Sequence, residues 1–335
     1  MIVTCAGILV VDIIAADLPK ISSPGELIFA PKGIEVHLGG HSGNVSIDLR
    51  KLGLGEGNVS SIGAVGEDIF GIFVESELRK NGVMAHLQKV SQSGTSKDLI
   101  LVVKNEDRRY HLDNGANWFL KPEFILSIVN REKPLIFYAG GVGLLGGVDE
   151  GLPDILRKVK DLGALTFVDP VTPYMRGWGF LKPAMAWTDI FHCNIDEAKQ
   201  ITGENEPQKA CERLVEMGAK IAIVSMGDKG LIARTGEALF SMPAFKVPVV
   251  DPTGAGDALC AGVIIGLLQK MNFRRCNIVD LSIDDIADAL LIGEAAGAAC
   301  VTAVGTTTAV TEENVKKILR EQGEQLRGSI KVSSV

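Results

Sequence analysis

The chain has 335 residues, with 34 lysines and arginines against 41 aspartates and glutamates, and a net charge of −7. Hydrophobic residues make up 46% and charged residues 22%, which excludes disorder, and the mild acidity excludes a general affinity for nucleic-acid backbones. The longest uncharged apolar run, Ala258–Leu268, falls well short of the roughly 20 residues that span a membrane.

The first run, Ile2–Val11, is apolar, lacks a basic leader and leads straight into Asp12, so it predicts a buried strand and not a signal peptide. Residues 13–37 are punctuated by Pro19, Pro24, Gly25, Pro31 and Gly33. A helix is expected over Gly43–Leu52, a strand over Val59–Ala64 and a helix over Ile69–Asn81. Residues 93–112 alternate polar and apolar around a strand at Leu99–Val103 and a turn at Asn105–Asp107. Both irregular stretches predict half-exposed antiparallel strands that make a small β lid.

After a helix at Pro122–Asn130, strands at Leu135–Tyr138, Leu165–Val168, Ile190–His192, Ile221–Ser225 and Leu231–Ala233 are interleaved with helices at Gly151–Leu162, Ile195–Thr202 and Pro207–Met217. Helices at Asp257–Met271, Ile283–Val301 and Glu312 to about Leu326 follow, the last behind Thr311 as its N-cap. This order predicts an α/β protein with a mostly parallel central sheet covered on both faces. No linker or repeat divides residues 1–335, so a single domain is expected, with lid segments at about 13–37 and 93–112. The six cysteines, Cys5, Cys193, Cys211, Cys260, Cys276 and Cys300, show no metal-ligand spacing. Scattered thiols of this kind fit a reduced, cytoplasmic compartment.

The strongest chemical signal is Asp251-Pro252-Thr253-Gly254-Ala255-Gly256-Asp257 ahead of a long apolar helix. Small residues at a helix start leave free N–H groups and the positive end of the helix dipole, a ready anion site. Asp257 at its mouth repels an anion, which makes sense for a general base that takes the proton of an attacking alcohol; the plainer alternative is a helix cap. Gly39-Gly40-His41-Ser42-Gly43-Asn44 opens a second helix. Asn194 and Glu197 share one face of a third helix start, where they either support a hydrated Mg²⁺ or cap the helix. Ser225-Met226-Gly227-Asp228-Lys229-Gly230 reads as a tight turn between two strands.

Taken in this order, Asp12, G-G-x-x-x-N at Gly39–Asn44, Gly63–Asp68 with Gly71, N-x-x-E at Asn194–Glu197, S-x-G-x-x-G at Ser225–Gly230 and D-x-T-G-A-G-D at Asp251–Asp257 closely resemble the PfkB/ribokinase family of ATP-dependent carbohydrate and nucleoside kinases. The resemblance spans about residues 2–310 and implies a three-layer ribokinase-like fold. The sequence has no G-x-x-x-x-G-K-[ST], so the nucleotide site is not a P-loop. The resemblance implies Asp257 as catalytic base and Gly254, Ala255 and Gly256 as the anion hole. It implies Asn194 and Glu197 as the pair that orders Mg²⁺ through water, and Ser225, Gly227 and Gly230 as the border of the ATP site. Asp251 and Thr253 match a loop that holds K⁺, with backbone around Cys300, Ala303 and Gly305. Asp12, Gly39, Gly40 and Asn44 match positions that meet the substrate, and Gly115-Ala116-Asn117 matches the segment after the second lid strand pair. A homodimer through the lid is a further expectation.

Val10 and His41 stand where ribose-specific members carry Asn and Lys, which turns the expectation away from ribose. Aromatic residues are 5% of the chain, fewer than a nucleoside site would favour, so a small sugar or sugar derivative is expected ahead of a nucleoside, and both ahead of a sensor whose catalysis has lapsed. Lys97, Lys104, Arg108 and Arg109 concentrate positive charge in the lid. Either they form a solvated strand pair, or Lys97 points inward and meets an anionic group on the substrate.

Overall fold

The N-terminal apolar run breaks in two. In the computed structural model, which describes residues 1–104, 106 and 108–334, β1 (Val3–Gly7) joins a large sheet and β2 (Val10–Leu18) joins the lid. The side chain of Asn117 brackets the break: its Oδ1 accepts the Leu9 N–H at 3.1 Å and its Nδ2 donates to the Leu9 carbonyl at 3.0 Å. An amide side chain has one acceptor and two donors, so it can stand in for a neighbouring strand at one residue. The expected single strand Ile2–Val11 is therefore corrected to two strands in two sheets.

β3 (Ile34–Gly39) is also in the lid, whereas β4 (Val59–Gly66) and β5 (Met84–Val90) continue the large sheet in parallel with β1. On the other side of β1 the parallel strands are β8 (Ile136–Val142), β9 (Leu165–Pro170), β10 (Ile190–Asn194) and β11 (Ile221–Ser225). β12 (Leu231–Arg234), β13 (Ala238–Met242) and β14 (Lys331–Ser334) add an antiparallel margin, giving the order β14-β13-β12-β11-β10-β9-β8-β1-β4-β5. The strand-helix alternation in the sequence is thus realised as the parallel sheet up to β11. β5, β13 and β14 were not anticipated, because the half-exposed edge segment MAHLQKV and the exposed KVSS carry no continuous apolar run.

One face of the sheet is covered by α1 (His41–Lys51), α8 (Ala255–Lys270), α9 (Ile283–Cys300) and α10 (Glu312–Ile318). The other is covered by α3 (Pro122–Glu132), α4 (Gly147–Asp161), α5 (Leu181–Met185), α6 (Ile195–Thr202) and α7 (Pro207–Glu216). The result is the expected three layers. α8 is apolar on every side and is buried from Asp257 to Leu268, as a helix without a polar face must be. Gly266 lets it approach α9, since a Cβ there would lie 2.5 Å from Ala289 Cα. The expected last helix is interrupted by a wide turn at Leu319–Gly323 and resumes as α11 (Glu324–Ser329).

The lid is a separate four-stranded sheet that includes β6 (Lys97–Val103) and β7 (Arg108–Asp113), in the order β3-β2-β6-β7. Its two hairpins are antiparallel, but β2 and β6 join them in parallel. The lid strands begin at Val10 and end at Gly39 and Asp113, slightly wider than the expected segments. Of the expected turn, Asn105 and Asp107 lie outside the described residues. All six cysteines are free thiols. Among the described residues no helix is long and apolar enough to cross a membrane.

Candidate active site

The motif residues gather beyond the C-terminal ends of the parallel strands, where open α/β sheets bind ligands. The loop before α8 is fixed by Asp251, whose Oδ1 accepts the Thr253 N–H at 2.8 Å and whose Oδ2 accepts the Gly305 N–H at 3.2 Å. Gly254 takes the left-handed conformation, with φ of 82°, and a Cβ there would lie 2.8 Å from the Thr306 backbone oxygen. Only glycine fits that turn. Ala255 N–H is turned back onto the Pro252 carbonyl at 3.3 Å, which leaves the N–H groups of Gly254, Gly256 and Asp257 as the donors of the helix start for an anion. The Cys300 thiol reaches the backbone oxygens of Thr253 and Thr306 at 3.3 and 3.1 Å.

Asp257 is buried in the first turn of α8, and Asn44 of α1 donates from Nδ2 to its Oδ2 at 2.8 Å. Asn44 is held in turn by Thr306, whose hydroxyl donates to Asn44 Oδ1 at 2.8 Å. The second oxygen of Asp257, Oδ1, is buried without a hydrogen-bond partner among the described residues. Burial raises the Asp257 pKa above the ordinary carboxylate value, and His41, Asn44 and His192 oppose that rise only in part. A buried acceptor with no donor is costly unless something else supplies one.

Behind the anion site lies a buried polar chain that the sequence did not reveal. Asp169, at the end of β9, accepts from the Tyr138 hydroxyl at 2.7 Å and faces His192 Nδ1 at 2.9 Å. His192 Nε2 lies 3.0 Å from Ser225 Oγ, and a Cβ on Gly256 would be 3.4 Å from the His192 ring. Burial disfavours charge on both partners, but His192 with His41 and the Tyr138 hydroxyl holds Asp169 low, and Asp169 with Glu197 and Asp257 holds His192 high. His41, at the start of α1, brings a ring nitrogen within 4.8 Å of carboxylate oxygens of Asp169 and Asp257. Burial works against its charge, yet Asp257, Asp169 and Glu197 together hold its pKa up. The available signal was a polar residue at the C-terminal end of an otherwise apolar strand, as in LTFVDP and IFHCN.

Asn194 and Glu197 form a reciprocal capping box at the start of α6, with the Asn194 Oδ1 to Glu197 N–H distance 2.9 Å and the return bond 3.0 Å. The capping alternative is therefore realised, and it holds both side chains at the site. Glu197 is pushed up to about 7, first by burial and then by Asp169, against the pull of the Asn194 N–H, His192 and His41. Gly227 and Gly230 both have positive φ in the β11–β12 turn, and Gly227 faces open space.

From the lid, Gly40 turns with φ of 85° into α1, and Gly39 lies so close to Asp12 that a Cβ would meet its carboxylate oxygen at 2.2 Å. Asp12 is pushed up to about 7 by burial, then by Asp98, Asp257 and Asp251. Asp12, Gly39, Gly40, Asn44, Gly254–Asp257, Asp251 and Thr253 are thus brought into one site. Lys97 is turned elsewhere: its Nζ donates to the Thr95 carbonyl at 2.6 Å, pairs with Asp113 at 3.0 Å and lies over the Phe70 ring. The lid cation that does reach the site is Arg108, ion-paired with Asp251.

A sequence profile of the pfkB family carbohydrate kinases matches residues 3–313. The aminoimidazole riboside kinase of Salmonella typhimurium is 29% identical over 81% of this chain and 84% of its own length. The structure of a ribokinase from Giardia lamblia superposes with a TM-score of 0.80 at 20% identity, covering 96% of this chain and 98% of the other. The Arabidopsis thaliana ribokinase complexed with ribose and ATP gives a TM-score of 0.76 at 21% identity, over 95% and 98% of the two chains.

Proposed function

The chain belongs to the pfkB family of carbohydrate kinases, and from that premise we propose that it transfers a phosphoryl group from ATP to a hydroxyl of a small sugar or sugar derivative, with Asp257 as general base. The observation that carries this reading is the unpartnered, buried Asp257 Oδ1, an acceptor waiting for the proton of a substrate hydroxyl. Asn44 fixes the other oxygen, so the carboxylate cannot rotate away. The raised pKa makes Asp257 a stronger base than an exposed carboxylate. As the hydroxyl oxygen forms its bond to phosphorus, its proton passes to Asp257 Oδ1, and the bond to the leaving diphosphate breaks. Negative charge on the transferring group is met by the N–H groups of Gly254, Gly256 and Asp257 and the α8 dipole.

Bound Mg²⁺-ATP would supply the phosphoryl group and a cation to neutralise the leaving phosphates. The residues fit: Gly227 leaves open space beside Ser225, and Glu197 offers a carboxylate near Asp169 and His192. Asn194 and Glu197 are proposed to hold the metal's waters, and Ser225, Gly227 and Gly230 to border the nucleotide. Asp12, Gly39, Gly40 and Asn44 are proposed to meet the acceptor. A K⁺ ion at Asp251 and Thr253 belongs to the same proposal on one condition, that Arg108 leaves Asp251. The proposed homodimer through the lid is supported by exposed Ile34, Val36, Leu99 and Tyr110 on its strands. A nucleoside acceptor is the second reading, favoured by the riboside kinase relative.

The test is an ADP-release screen over neutral sugars, polyols, sugar acids, sugar phosphates and nucleosides. Asp257→Asn should lower kcat by about 10²–10⁴ with ATP affinity kept. Full turnover in that variant would remove Asp257 as base, and a nucleoside preferred over every sugar would install the second reading.

A further inference from the structure

Two acidic side chains leave the lid on the same side. β2 and β6 pair in parallel with Asp12 opposite Asp98, and residues directly opposed in a sheet project from one face. Asp12 is 7% exposed and makes no hydrogen bond among the described residues, and the charged groups that act on it are Asp98, Asp257 and Asp251. Four of the lid's cations are engaged, Lys97 with Asp113, His37 (opposite Asp12 in the β2–β3 pair) with Glu35, Arg108 with Asp251 and Arg109 with Glu106, while Asp98 accepts the His111 N–H at 2.8 Å and feels that ring's charge. Ionised carboxylates accept hydrogen bonds and donate none. Above the raised pKa of Asp12, about 7, the wall that meets the non-reacting end of an acceptor therefore offers acceptors and negative charge.

We propose that Asp98 acts with Asp12 as a specificity pair that admits a substrate whose non-reacting end is rich in hydrogen-bond donors, uncharged or amine-bearing, and turns away sugar phosphates and sugar acids. The proposal rests on the kinase reading and narrows its acceptor class. Adjacent hydroxyls bring two donors on neighbouring carbons, and an ammonium brings three with opposite charge. A phosphate or carboxylate in the same place brings only like charge, so rejection comes from repulsion as much as from missing bonds. Of the two readings of Lys97, the inward one that meets an anionic substrate loses support, since its charge is answered by Asp113.

The experiment compares matched acceptors: fructose with fructose 6-phosphate, ribose with ribose 5-phosphate and glucose with gluconate, with glucosamine and myo-inositol added. ADP release and calorimetric binding without ATP are both measured, for the wild type and Asp98→Asn. The uncharged or amine-bearing members should lead by at least about tenfold in kcat/KM, and the lead should shrink by about tenfold in Asp98→Asn, mainly through KM. A wild type that prefers the anionic members, or a folded Asp98→Asn with the same preference, would overturn the pair. Should Asp98→Asn misfold, the wild-type calorimetry decides by the same preference. Absence of ADP release across the panel, with the binding preference intact, would strike at the kinase reading and leave the pair standing.

Discussion

Asn44 and Asp257 lie 213 residues apart in the chain and 2.8 Å apart in space. The bond joins the helix that follows the first lid hairpin to the helix that opens at the anion site, and it favours the charged form of Asp257. In Asn44→Ala that support is gone, and burial should push the Asp257 pKa still higher. A base must be deprotonated to act, so the acid limb of the kcat profile should move to higher pH, with a smaller loss on the alkaline side. A profile that falls evenly at every pH would show that Asn44 serves only to bind substrate.

Glu197→Gln separates the two roles of the capping box. Glutamine keeps an oxygen to accept the Asn194 N–H, so α6 should stay folded and the Tm should hold. The lost charge should raise the Mg²⁺ concentration for half-maximal rate, by roughly tenfold if one charged hydrogen bond to a metal-bound water is weakened. An unchanged Mg²⁺ requirement would confine Glu197 to capping.

Arg108 and Asp251 are both largely buried, with side chains 13% and 8% exposed, and removing one partner of such a pair is unfavourable. In Arg108→Met the lid should open more often, seen as faster proteolysis within residues 97–113 and an acceptor KM raised about tenfold. The freed Asp251 carboxylate should also respond more strongly to K⁺ than in the wild type. Equal K⁺ and Na⁺ responses in both proteins would argue against a cation at Asp251 and Thr253.

Asp48 of α1 is fully buried, and neither carboxylate oxygen has a hydrogen-bond partner among the described residues. Burial, then the charge of Asp257, raises its pKa well above the ordinary value, against a smaller pull from Lys51. The unfolded chain releases this proton near pH 4 while the folded chain keeps it, so stability falls as pH rises from there toward the folded pKa. Asp48→Asn, which cannot titrate, should be more stable than the wild type by on the order of 1 kcal/mol at pH 8. The gain should shrink toward pH 5, as thermal melts at both values would show. A gain that is equal at both would mean that Asp48 is not the source.

The glycine turn and Asp257 were legible in the sequence because backbone chemistry is local: Gly254 must be small, and α8 must follow it at once. The same holds for Asn194 and Glu197, whose spacing allows little besides a shared helix start. Arg108 on Asp251 was not legible, since nothing local distinguishes Arg108 from Arg109 on the next position of the strand. Lys97 looked equally available and turned to Asp113. The Tyr138–Asp169–His192 chain was hidden for a different reason. Each member sits in an apolar strand whose hydrophobicity predicts burial, and its polarity becomes meaningful only when neighbouring strands align their ends.

Of the four places where the chain passes between the lid and the body of the protein, two are tied by side-chain knots. One is the Asn117 amide around Leu9. The other is Thr95, where Asp68 accepts from the backbone N–H at 2.8 Å and from the hydroxyl at 2.7 Å, while that hydroxyl also receives the Gly66 N–H at 2.9 Å. Asp68 caps α2 (Ile69–Lys80) with the same carboxylate, through the Gly71 N–H at 2.8 Å. Two fixed points define a line, as the two knuckles of a door hinge do. Rotation of the four strands as one panel about that line would leave both knots intact, whereas sliding along it would break them, so a lid opening that parts Arg108 from Asp251 is expected to be a swing.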